Sequence, residues 1–289
     1  MILGSRAELA GRVKLQISGG ARGTIDYPWQ DNMILDQGFV QLIVHPGTSD
    51  PIAFASFGVG SSSQAVQATD TGLIAPIAFT PTSYLGVTQG WSAEGGFGWS
   101  RATYSFARGA AAGNISELTT GYNNNNTSAM ARALVRDAQG NPATITVLSD
   151  EVLTITWEWR KWWTVSESHE IEYLVDDVPK TTTVSYKQNL STGSSGLGNG
   201  GVTSIGSQLI SSSGGVFVGE FKTTFTEAQG NPQASSVGTV GDAGTGGQNV
   251  IGKVFPHDAA YATFAPPIAK TNAFRLEIRH RIALTRHEP

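Results

Sequence analysis

The stretch VLTITWEWR at residues 152–160 decides the fold. Leu153, Ile155, Trp157 and Trp159 fall on one face of an extended chain and Thr154, Thr156, Glu158 and Arg160 on the other, because successive side chains of a strand point to opposite sides. The reading is a β-strand with an apolar face toward a core and a wet face on which Glu158 and Arg160 form a solvated surface. The following KWW at residues 161–163 breaks the phase. Trp162 and Trp163 are therefore the candidates for an exposed aromatic platform that would contact a glycan or a partner.

The same two-residue period recurs on either side. Val13, Leu15 and Ile17 alternate with Arg12, Lys14 and Gln16, and SGGARG at residues 18–23 reads as the turn of a first hairpin leading into residues 24–29. Near the C-terminus Phe274, Leu276, Ile278, Ile282 and Leu284 alternate with Arg275, Glu277, Arg279 and Arg281. That run exceeds the common strand length and points to a strand shared between domains or subunits. Shorter strands are expected at residues 53–59, 102–106, 130–136, 170–175, 181–186 and 217–225, each bounded by Gly, Pro, Asn or Asp. One short helix is expected after Asp36 as N-cap, with Phe39, Val40, Leu42 and Ile43 as its apolar stripe and Pro46 beyond its end. The expected fold class is all-β: an antiparallel β-sandwich or jelly-roll-like domain over residues 1–165, then a second β-rich, loop-rich region over residues 166–289.

Composition narrows the classes of function. The chain has 289 residues with 35 Gly and 12 Pro, the punctuation of a turn-rich β protein. It has no cysteine, which excludes disulfides, thiolate metal sites and cysteine nucleophiles. A net charge of −4 offers no basic excess for nucleic acid. No apolar run is long enough for a membrane helix, and the start MILGSRAELA reads as lacking a secretion address. Residues 189–215 and 227–249 are dense in Gly and Ser. Ordering such stretches costs about 1–2 kcal/mol per residue with little apolar return, so they are expected as mobile loops or as arms ordered by a neighbouring chain. The pentapeptide AQGNP occurs at residues 138–142 and 228–232 and reads as a repeated turn.

Reactive constellations are sparse. His45, His169, His257, His280 and His287 form no HExxH-like pair, and His280 falls in phase with the apolar face of the last strand. Glu158, Glu167, Glu170, Glu172, Asp176 and Asp177 crowd around the tryptophan-rich segment, the raw material of a glycosidase pair, yet the phase of residues 152–160 places Trp157 and Trp159 in the core. GVGSSS and GLGNGG lack the Lys and the following helix of a phosphate loop. Sequons at Asn114, Asn125, Asn126 and Asn189 mark polar loops, and no serine lies in a GxSxG elbow. No catalytic residue, cofactor or metal is expected.

Five stretches carry a resemblance: GRVKLQISGGARG (residues 11–23), WQDNMILDQGF (29–39), FASFGVGSSSQAVQATDTGL (54–73), GNISELTTGY (113–122) and ARALVRDAQGNPATITVLSDEVLTITWEWR (131–160). In this order they are similar to a family of tailed-bacteriophage virion proteins, usually tail-tip, baseplate or fibre-associated components. The family order runs N-x-I-L-D-x-G-L, a V-G-x-G-S stretch closing on T-x-L, N-I-x-E-L, a D-x-x-G-N-P turn and a D-E-x-L-x-I-x-W strand. The resemblance covers about residues 11–165. It implies a non-enzymatic structural role, an all-β fold and a symmetric oligomer, and it carries no catalytic residues.

The leading expectation is thus a phage virion structural protein of the tail, made in the host cytoplasm. It would assemble as a cyclic homo-oligomer, trimeric or higher, bind other tail proteins and present a host-contacting surface. One alternative is a carbohydrate-binding or depolymerising tail protein that meets host surface glycan through Trp162 and Trp163. Another is a capsid-associated head fibre or decoration protein.

Overall fold

The computed structural model describes residues 2–44, 56–80, 84–121, 128–163, 168–175, 178–188, 204–225, 249–257, 260–270 and 276–287. The protein is 62% strand with one short helix. It divides into two compact units: a first of Leu9–Leu42, Asp50–Trp162 and Arg286–Pro289, and a second of Met1–Glu8, Ile43–Ser49 and Trp163–Thr285.

The first unit contains β1 (Ile2–Gly19), whose opening residues count with the second unit, β2 (Ile25–Asp26), β3 (Gln30–Ile34) and α1 (Asp36–Val44). There follow β4 (Ser56–Gly60), β5 (Pro76–Thr80), β6 (Tyr84–Ser92), β7 (Phe97–Ser105), β8 (Gly113–Ile115) and β9 (Glu117–Gly121). β10 (Ala129–Leu134), β11 (Ile145–Val147) and β12 (Glu151–Trp163) complete it. Its main ladder runs β1-β3-β10-β9-β4-β5, while β12 lies between β1 and β7, and β6 pairs with β7.

β12 pairs antiparallel with β7 from Thr154↔Ser105 to Lys161↔Gly98, and Leu153, Ile155, Trp157 and Trp159 are buried as their phase requires. Two expectations need correction. The strand runs unbroken through KWW to Trp163, because pairing with β7 continues past Arg160 and holds the backbone extended. Glu158 is not solvated but buried, since arginines from both neighbouring strands close over it. The predicted first hairpin forms, with Gln16 opposite Asp26 and Ile17 opposite Ile25.

The alternation of β1 begins well before Val13, with Ala7 and Leu9 already buried. Every position of β9 and β10 is buried. The reason is the segment at residues 61–75, which lies over their second face.

Helix α1 forms where expected, but Leu35 takes the cap position. Its carbonyl accepts the Phe39 N–H at 3.4 Å, and Asp36 falls in the first turn, where the carboxylate suits the helix dipole. The Leu35 N–H donates to Met130 O at 3.0 Å, bringing the helix so close to β10 that a Cβ at Gly38 would collide with the Met130 carbonyl.

The second unit holds β13 (Ser168–Val175), β14 (Val178–Gln188), β15 (Ser204–Ser213), β16 (Val216–Phe225), β17 (Asn249–His257), β18 (Ala260–Lys270) and β19 (Leu276–Arg286). One sheet has the order β13-β14-β18-β17, and β15-β16-β19 leads on to β1. Part of the expected loop at residues 189–215 is therefore strand: β15 pairs with β16 from Ser204↔Thr224 to Ser213↔Val216 across the Gly214–Gly215 turn. A Ser-rich strand is tolerated because β15 ends its ladder and the side chains of residues 210–213 are exposed; no burial is asked of it. Residues 189–203 and 226–248, the second AQGNP, His45, Glu167, Asp176 and Asp177 lie outside the described residues.

Replacing Gly38 by Ala is expected to destabilise the first unit by about 1–3 kcal/mol, since the added methyl meets backbone that cannot rotate away. Chemical denaturation of the two proteins would measure it, and an unchanged midpoint would contradict the close approach.

Candidate functional site

The five stretches that carry the resemblance meet in one hydrogen-bonded framework. At its centre Arg132 of β10 and Glu117 of β9 are both fully buried. Arg132 Nε donates to Glu117 Oε2 at 2.9 Å, Nη1 to Asp70 Oδ2 at 2.7 Å and Nη2 to the Gln64 carbonyl at 3.0 Å. Glu117 also accepts the backbone N–H groups of Ser62 (3.3 Å), Ile74 (3.1 Å) and Ala75 (2.7 Å). Two strand residues thus fasten both ends and the middle of the segment at residues 61–75.

The helix start joins this framework. Asp36 N–H donates to Ala68 O at 2.8 Å, and Gln37 Nε2 donates to Thr71 O at 2.7 Å and Ala129 O at 2.5 Å. At the first hairpin Arg22 grips Glu151 through Nε at 2.8 Å and Nη2 at 2.5 Å. The Arg22 guanidinium and the Leu148 N–H hold the Glu151 carboxyl below its ordinary range. In the AQGNP turn the Asp137 carboxylate accepts N–H groups of Asn141 and Gln139, each at 2.9 Å, which lowers its pKa likewise. These are framework roles, each ending on a backbone group or a fixed partner.

A second cluster lies on the other face of β12. Glu158 accepts from Arg12 of β1 (Nε, 2.6 Å), from Arg160 (Nε, 2.8 Å) and from Arg101 of β7. Only 1% of the Glu158 side chain is exposed, against 24%, 35% and 23% for Arg12, Arg101 and Arg160. Burial pushes the Glu158 carboxyl up, the hydrogen bonds from Arg12, Arg160 and Arg101 pull it further down, and it stays ionised below its ordinary range.

Aromatic rings hold the guanidiniums in turn. Arg12 lies 4.3 Å and Arg101 5.5 Å from the Trp29 ring, Arg101 4.2 Å from Trp99, and Arg160 4.8 Å from Phe97. Trp99 lies flat across β6 because Gly90 opposite it has no side chain; a Cβ there would collide with the indole. Farther along the same face come the hydroxyl pairs Thr103–Thr156 at 3.0 Å and Ser105–Thr154 at 2.7 Å.

Comparison with known proteins finds no match to a family model, a curated protein or a solved structure. The reading of function rests on this geometry and on the sequence.

The residues singled out from the sequence fare differently. Trp162 is partly exposed, and its ring already has partners: His287 stacks on it at 3.8 Å with an interplanar angle of 11°, Phe97 packs at 4.9 Å, and its Nε1 donates to Gly95 O at 3.0 Å. Trp163 ends β12, and its side chain lies outside what is described, as do those of His169, His257 and His280. Glu170 and Glu172 are exposed on β13 of the second unit, whereas Glu158 belongs to the first. Among the described residues no group of three or more His, Asp and Glu is arranged to hold a metal ion.

Sequence reasoning missed Arg12, Arg101, Trp29 and Trp99 as a group. The available signal was the occurrence of Arg12 and Arg160 on the polar phases of their strands, but no local pattern says that those strands are neighbours.

Arg132→Ala is expected to cost about 3–5 kcal/mol in denaturant unfolding, because it leaves Glu117 charged and buried. Glu158→Gln is expected to cost about 1–3 kcal/mol at neutral pH. Since folding lowers the Glu158 pKa, the stabilisation is complete above the ordinary glutamate value of about 4.3 and is lost as pH falls through the lower folded value. The stability gap between wild type and Glu158→Gln should therefore close in acid, and a gap that widened below pH of about 4 would contradict the assignment.

Proposed function

We infer that this chain is a structural protein of a tailed-bacteriophage virion, built into the tail at its tip, baseplate or fibre attachment. It acts through contacts with copies of itself and with other tail proteins. The observation that carries the reading is the framework around Arg132 and Glu117: the stretches that resemble the virion family are joined to one another, and their polar residues serve the scaffold.

The first unit is read as a β-sandwich or jelly-roll-like body. Phe57 of β4 packs on Tyr104 of β7 at 4.5 Å and on Trp157 of β12 at 5.9 Å, so two limbs of the sheet face each other across an aromatic core, which supports that architecture. We read the assembly as a cyclic homo-oligomer, trimeric or higher; association with another chain is supported by Ile74 beside β5 and Ile77 on it, 46% and 39% exposed, where β5 ends its ladder. Exposed β-branched residues at a sheet edge favour addition of another chain.

A depolymerising role draws less support, because Glu158 is held ionised by three guanidiniums and cannot deliver a proton at neutral pH. Contact with glycan is favoured by a specific observation, the guanidinium and aromatic face.

Antibody labelling of intact particles viewed by electron microscopy is expected to mark the tail. Labelling confined to the head would instead favour the decoration or head-fibre reading. Multi-angle light scattering is expected to give three or more copies, with Ile77→Lys shifting the mass toward the monomer. A wild-type monomer at high concentration would defeat the assembly reading.

A further inference from the structure

We propose that the polar face of β1, β12 and β7 is a binding site for an acidic polysaccharide: the terminal guanidinium nitrogens of Arg101 and Arg160 take its carboxylates, and the face of the Trp29 ring that Arg12 does not cover takes a sugar ring. The inference concerns this chain's own surface and stands whether or not the chain belongs to a phage tail.

The face has donors in excess of its acceptors. Glu158 engages the Nε atoms of all three arginines and one terminal nitrogen of Arg12. Among the described residues the Nη1 and Nη2 atoms of Arg101 and Arg160 have no hydrogen-bond acceptor. Both side chains are partly exposed, at 35% and 23%. A guanidinium whose Nε is committed still offers two terminal nitrogens in a fixed plane, the geometry that grips a carboxylate. Asp31 stands opposite Arg12 in the β1–β3 register and Lys14 pairs with Asp26; with these counted, the face remains positive on a chain of net charge −4.

The guanidiniums are also preorganised. Trp99, Trp29 and Phe97 lie under the guanidiniums, and Glu158 anchors them from below. Ordering arginine side chains is a main cost of anion binding, and here it is met on folding.

Beside the guanidiniums the face carries the hydroxyl pairs Thr103–Thr156 and Ser105–Thr154 and aromatic ring surface, which match a hydroxylated, carboxylated ring. Trp and Arg also anchor protein partners, and comparison with polyglutamate separates a sugar from an acidic peptide. Trp29 also borders an open groove of about 760 Å³ with Met33, Val66, Leu134, Arg136 and Pro142 on its walls. A chain-like ligand can therefore continue past Trp29.

Isothermal titration of the full chain with polygalacturonate oligosaccharides tests the proposal, with the methyl-esterified oligosaccharides and polyglutamate as comparisons. The expected result is binding of polygalacturonate that weakens with salt, is lost on esterification and exceeds binding of polyglutamate. Arg101→Gln and Arg160→Gln are each expected to weaken it about tenfold, and Trp29→Ala to weaken it while an unchanged circular dichroism spectrum shows that the fold persists. Absence of binding, equal binding of the esterified sugar, or polyglutamate binding as tight as polygalacturonate would overturn it. These ligand comparisons use the wild-type chain alone, so the test holds even where an arginine variant fails to fold.

Discussion

A single buried ion pair, Arg132 with Glu117, underlies the first unit. Two opposite charges without solvent are costly, and they persist here because further polar groups hold each of them. Asp70 and the Gln64 carbonyl complete the arginine, and three backbone N–H groups complete the glutamate. The pair does what apolar contact cannot do for a Ser- and Gln-rich segment: it gives buried backbone donors a partner and ties residues 61–75 over the sheet. The full burial of β9 and β10 and the seating of α1 against Ala68 and Thr71 follow from that cover.

The second charged group, around Glu158, obeys the same electrostatics with a different outcome. Arg132 spends its fork on interior acceptors, whereas Arg101 and Arg160 each spend only Nε and keep their terminal nitrogens at the surface. One carboxylate among three guanidiniums neutralises part of their repulsion and leaves the rest of their hydrogen-bonding capacity facing solvent. The first arrangement holds the fold, and the second holds a surface in readiness.

Strand periodicity was legible wherever one face is apolar. β12, the first hairpin and α1 all lie where alternation or a helical stripe puts them, and β16 spans the expected residues 217–225. It failed where composition misleads. β15 looks like a loop because serine contributes no apolar phase, yet a strand at the end of a ladder needs only its backbone paired on one side. The full burial of β9 and β10 is not legible locally, because the segment that covers them is distant in sequence. The site was less legible still. Trp162 was visible as a tryptophan next to an alternating run, but the residue that stacks on it, His287, is more than a hundred positions away.

By itself the sequence determined that the chain is built of strands, where most of them run and which of their faces are apolar, since these follow from the two-residue repeat of an extended backbone and from local turn chemistry. It also determined that no thiol chemistry is available. Only the tertiary structure decided which polar faces stay wet. Glu158 lies on the polar phase of its strand and Arg132 between Met130 and Leu134 on the phase of its own, and the burial of both depends on what neighbouring strands and covering segments bring to them. That information lies in strand order and register, which arise from long-range packing and leave no trace in the spacing of residues along the chain.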